Sequence, residues 1–117
     1  MNEPNLKFYS ADYNLWRAPY SEEMSPSFFL HVIIGAENEE EALEIAKNYK
    51  LDWDMLEKRT GELGCRAGGA LSKEISRDRL KELIAIFDNS DKNSYSLADI
   101  ASPLTREGLE KILGEEK

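Results

Sequence analysis

The longest apolar stretch of the chain, Phe28-Phe29-Leu30-His31-Val32-Ile33-Ile34, is followed at once by Gly35 and then by residues spaced as on a helix. The run is too short to cross a bilayer, and its β-branched and aromatic content on both faces predicts an interior strand covered on two sides. Asn38 is placed to cap the helix that follows. Glu41 lies three residues later in the Asn-x-x-Glu form of a capping box, and Glu39 and Glu40 put negative charge at the positive end of the helix dipole. Ala42, Ile45, Ala46 and Tyr49 share one face of that helix.

Ahead of this unit, Leu6 to Asp12 carries Leu6 and Phe8 on one side and Tyr9 and Ala11 on the other, which predicts a strand. Tyr13 to Pro26 contains two prolines and shows no period, so a loop is expected there. Most of the aromatic residues fall at or before Phe29. A loop holding Tyr13, Trp16, Arg17 and Tyr20 has the composition of interface hot spots; alternatively the loop folds over the sheet and its rings close one end of the core.

Beyond the first helix, Leu51-Asp52-Trp53-Asp54-Met55 alternates with period two, giving either a half-buried strand running toward Arg59 or a short helix capped by Asp52 that ends at Gly61. Thr60 to Gly64 is turn-like. It leads into an expected strand near Leu63 to Ala67 that Gly68 and Gly69 break. The second helix is the clearest, with Leu80, Leu83, Ile84 and Phe87 on one face, Ser76 as cap and Asp78 in the first turn. Tyr95 to Ala101 reads as a short strand or a turn of helix. After Ser102-Pro103, Thr105 caps a final helix whose stripe is Leu109, Ile112 and Leu113.

From Phe28 the order is strand, helix, strand, strand, helix and a possible further strand, with one strand before and one helix after. In element order this resembles the split βαβ arrangement of ferredoxin-like folds. The resemblance implies an α+β domain: an antiparallel sheet of about four to five strands, two helices on one face, and a C-terminal helix. The expected organisation is a single domain over 1–117, with a strand and aromatic loop in 1–26, an α+β core in 27–101 and a C-terminal helix with charged tail in 102–117. Such a scaffold hosts many functions and selects none.

Composition narrows the classes. At 117 residues, with 41% apolar and 32% charged residues, the chain supports a core without disulfides or metals. Its one cysteine, Cys65, has no internal partner and no apolar leader follows Met1, so a cytoplasmic protein is expected. No segment has the length of a membrane helix. The net charge of −8 disfavours direct nucleic-acid binding, which depends on Lys and Arg. Much of the acidic excess lies between Glu37 and Glu57. It either attracts a basic partner or serves solubility and helix-dipole compensation.

His31, the only histidine, sits in the apolar run and reads as a core or sheet-face residue; alone it makes neither a His-rich metal site nor a nucleophile's partner. Arg66 beside Cys65 is an electropositive neighbour, yet no second cysteine or nearby histidine supports redox or hydrolytic work. Gly61, Gly64, Gly68 and Gly69 lack the spacing of the phosphate-binding loops. A weaker anion site of backbone N–H groups and Arg66 stays open.

Asp88 to Asp99 resembles the calcium loop of EF-hand proteins, with Asp88, Ser90, Ser96 and Asp99 at the first, third, ninth and twelfth positions. Lys92 stands where an oxygen ligand belongs and Asn93 where the turn glycine belongs. Ser96 to Leu113 is similar to a helix-turn-helix, with Pro103 at the turn glycine and Glu107 and Glu110 on the reading helix. Neither calcium nor DNA binding is expected, and no cofactor, metal site or catalytic residue is assigned.

The expected function is a small acidic, non-enzymatic protein-binding or regulatory module. It acts through Tyr13, Trp16, Arg17 and Tyr20 and through the acidic helix face at Glu40 and Glu44. One alternative is an acidic inhibitor of the mobile-element type that occupies a basic nucleic-acid-binding groove on its target. Another is a ferredoxin-like dimeric enzyme with His31, Trp53 and Arg59 lining a small-molecule pocket. A protein partner is expected, a homodimer is possible, and no membrane is involved.

Overall fold

A computed structural model of the chain describes residues 6–17, 27–50, 63–89, 96–102 and 104–114. Among these residues four strands and three helices follow in the order β1 (Lys7–Arg17), β2 (Phe28–Ala36), α1 (Glu39–Asn48), β3 (Leu63–Leu71), α2 (Arg77–Asn89), β4 (Ser96–Ile100) and α3 (Arg106–Gly114). The sheet order is β3-β1-β2-β4. β1 is antiparallel to both β2 and β3, whereas β2 and β4 run parallel. The fold is therefore α+β with a mixed sheet rather than the antiparallel one expected: β4 is reached through α2 and returns in the direction of β2, a pairing that no local pattern encodes.

β2 is the interior strand that its composition predicts. Phe28, Leu30, Val32, Ile34 and Ala36 point to one face, and Ile33 to the other. The first face is filled along its length, since Tyr9, Ala11, Tyr13 and Leu15 of β1 and Leu97 of β4 join the same cluster, and Ala42, Ile45, Ala46 and Tyr49 of α1 cover it. On the second face Phe8, Ile33 and Ile100 meet Leu80, Leu83 and Ile84 of α2 and Leu109, Ile112 and Leu113 of α3. The first two helices thus lie on opposite faces, not together on one. An apolar run without alternation has two faces to bury, and each draws its own helix.

All three helix starts follow from local chemistry. The Asn38 side chain accepts the Glu41 N–H at 2.8 Å, Ser76 Oγ accepts that of Arg79 at 3.1 Å, and Thr105 Oγ1 accepts that of Gly108 at 3.0 Å. Each satisfies a donor that has no partner within its helix. Gly35 lets the connection before α3 close onto the sheet, because a Cβ there would stand 3.3 Å from Leu104 Cδ2.

Two local readings are corrected, and a third, left open between strand and helix, is decided. Tyr13 to Arg17 continue β1 instead of opening a loop. The pair Gly68-Gly69 does not end β3: the strand runs to Leu71 and takes up the extra residue as a register shift opposite Asp12 and Tyr13. Ser96 to Ile100 is a strand, which removes the first helix of the helix-turn-helix resemblance and places two positions of the calcium-loop resemblance, Ser96 and Asp99, on the sheet. The alternative readings of 51–59 lie outside the described residues.

Candidate functional site

The second face divides into two parts. Near Phe8, Ile33 and Gly35 it lies under α2 and α3. Further along the same strands it presents Asp12 and Asn14 of β1, paired across the ladder with His31 and Phe29 of β2. Strand alternation makes this arrangement, because Tyr13 and Leu30 between them turn to the first face. Opposed residues of an antiparallel pair stand about 5 Å apart, and the next pair on the same face about 7 Å along. The four side chains therefore form one small patch.

Its central contact joins His31 Nδ1 to Asp12 Oδ1 at 2.7 Å. A carboxylate oxygen only accepts, so Nδ1 carries the proton; in the neutral ring Nε2 then holds a lone pair. The imidazole is 17% exposed and the carboxylate 48%, so the aspartate fixes the orientation of a largely covered ring while the carboxylate itself stays open to solvent. Phe29 is 42% exposed, one of two large apolar side chains left so open among the described residues, and Asn14 beside it is half-buried.

The other open apolar side chain is Leu43, 45% exposed on α1. Glu39, Glu40 and Glu44 surround it on the helix, all exposed, with Lys47 one turn on. This is the outer surface of the helix whose inner surface Ala42, Ile45 and Ala46 bury.

Of the residues expected to meet a partner, Tyr13, Trp16, Glu40 and Glu44 do not share one surface. Tyr13 lies in β1, not in a loop, and is buried on the first face, its ring centroid 6.1 Å from that of Tyr49. Trp16 is half-buried and alternates to the second face, and Arg17 ends β1. Tyr20 lies outside the described residues. Glu40 and Glu44 are exposed on α1, across the sheet from Trp16. Of the proposed pocket, His31 lies on the second face, while Trp53 and Arg59 are outside the described residues. Sequence reasoning passed over Asp12, Asn14 and Phe29. Their signal was the period-two pattern of β1, which places 12 and 14 on one face.

Two other ionisable positions are structural. Tyr9 is buried, and its hydroxyl pKa is raised, first by burial and then by the charges of Glu74 and Glu39. Asp88 accepts from Arg106 Nε at 3.0 Å and Nη2 at 2.8 Å, so the first position of the calcium-loop resemblance is committed to a guanidinium. Its twelfth, Asp99, takes the Tyr49 hydroxyl and the Ile100 N–H. Among the described residues no group of three or more His, Cys, Asp or Glu is placed to hold a metal ion, and no helix is long and apolar enough to cross a membrane. Comparison of the chain with protein-family models, with curated proteins and with solved structures finds no match.

Proposed function

We propose that this chain is a small acidic binding module for a protein partner with a basic surface. The observation that carries the reading is Leu43: a large apolar side chain left open in the middle of a helix, ringed by Glu39, Glu40 and Glu44. An apolar contact with a charged rim is the layout of an interface whose centre supplies burial and whose edge supplies steering. The net charge of −8 extends that steering beyond the contact itself.

The test uses the full chain as bait in a lysate of its host, beside a Glu40→Lys/Glu44→Lys variant. Both positions are exposed, and equal melting temperatures verify that the variant is folded. A basic protein enriched about tenfold or more by the natural chain, lost from the variant and released as salt approaches 1 M, where the Debye length is about 3 Å, is the expected result. The same set of proteins on both baits, insensitive to salt, refutes the reading.

A further inference from the structure

We infer that the open half of the second sheet face, formed by Asp12, Asn14, Phe29 and His31, is a docking site for an arginine side chain. The inference rests on the reading of this chain as a module for a basic partner and names a point of contact on the side of the sheet opposite α1.

The argument is one of unmatched acceptors. With Oδ1 accepting the His31 Nδ1–H, Asp12 is held in place and keeps Oδ2 as an acceptor. The Asn14 amide oxygen is a second acceptor, and among the described residues neither atom makes a hydrogen bond. No Lys or Arg is paired with either of them among the described residues. Beside them Phe29 leaves part of its ring to solvent. The site therefore asks for a ligand that donates several hydrogen bonds from one plane, carries positive charge and lies on an aromatic face. A guanidinium has five N–H donors in a rigid plane and stacks on rings. A lysine ammonium is a compact point charge that does not lie flat on Phe29 while reaching both acceptors. A carboxylate or phosphate would meet Asp12 with like charge. The chain's charge of −8 favours approach of the same class of ligand.

The probes are three short peptides identical but for one central residue: arginine, lysine or citrulline, the last a neutral twin of arginine. Each is titrated into the full 15N-labelled chain while amide and imidazole shifts are followed. The arginine peptide should bind in the millimolar range and move the Asp12, Asn14, Phe29 and His31 signals. The citrulline peptide should leave them in place, and the lysine peptide should bind several-fold more weakly. Asp12→Asn should weaken the arginine peptide about tenfold through loss of a charge-assisted hydrogen bond. Phe29→Ala, at an exposed position, should weaken it by a smaller factor and serves should Asp12→Asn perturb the fold. The Glu40→Lys/Glu44→Lys variant should keep the strand shifts. Citrulline or lysine binding as well as arginine overturns the assignment, and so do arginine shifts confined to α1; the last result leaves the acidic-helix reading standing. Conversely, loss of salt-sensitive capture with the strand shifts intact removes that reading alone.

Discussion

The two faces of the sheet are built from the same strands, yet they differ along their length. On the first, Tyr9, Ala11, Tyr13 and Leu15 of β1 oppose Ile34, Val32, Leu30 and Phe28 of β2, every one buried. On the second, Phe8 and Ser10 oppose Gly35 and Ile33, buried as well, and then the pattern changes: Asp12 opposes His31, and Asn14 opposes Phe29. The change comes beyond Phe8 and Ile33, the residues of these two strands that pack with α2 and α3. A face that stays apolar from end to end needs a cover of the same length, whereas one that turns polar halfway has been fitted to water or to a ligand over the remainder.

The strongest way to break this comparison uses adjacent residues. Leu30 is 1% exposed on the first face and Phe29 is 42% exposed on the second. Leu30→Ala removes buried methyl groups from the centre of a filled face and should cost about 2–5 kcal/mol of unfolding free energy. Phe29→Ala should stay within about 0.5 kcal/mol. Urea midpoints of the two variants measure both. Comparable losses would mean that the second face is as closed as the first and that the patch around His31 is part of the core.

A smaller effect sharpens the description of the first face. Tyr49, just beyond α1, sets its ring at a tilt against that of Tyr13 and donates its hydroxyl to Asp99 of β4. Tyr49→Phe keeps the ring and deletes the donor. It leaves a half-buried carboxylate oxygen with one partner fewer, while the Ile100 N–H still serves the other oxygen at 2.8 Å. The expected loss is about 1 kcal/mol by denaturant titration. An unchanged midpoint would show that this hydrogen bond adds nothing to the hold on α1.

How much of this was legible in the sequence follows from what each signal measures. β2, α1, α2 and α3 were readable because their patterns are local: an unbroken apolar run, Asn38, Ser76 and Thr105 as caps, and Leu80, Leu83 and Ile84 at helical spacing. The extent of β1 was also written locally, since Tyr9, Ala11, Tyr13 and Leu15 keep period two up to Arg17, but the prolines at 19 and 26 drew the loop boundary too early. The parallel pairing of β2 with β4 and the division of helices between faces depend on contacts between distant segments. The His31–Asp12 contact is of the same kind, as it spans 19 positions and exists only once the strand register is fixed. A lone histidine in an apolar run therefore read as structural, and its carboxylate partner did not register at all.

The smallest effect concerns the cover of the second face. Asp88 near the end of α2 and Arg106 at the start of α3 form a two-bond pair, and Arg106 Nη1 also lies 3.3 Å from Glu110. The hydrogen bond from Arg106 lowers the Asp88 pKa from its ordinary value of 3.8, against the opposing effect of burial. A carboxyl group depressed in the folded state contributes its stability above the unfolded value, and that contribution is lost as pH falls through the folded one. The pair is partly exposed, so the contribution is small and shrinks with salt. In an acid titration at low salt, Asp88→Asn should differ from the natural chain by a slightly lower melting temperature at neutral pH, and the difference should close below the ordinary carboxylate range. A gap that stays constant down to pH 2 would mean that the two helices are held together on the second face by Leu80, Leu83 and Leu109 and not by this pair.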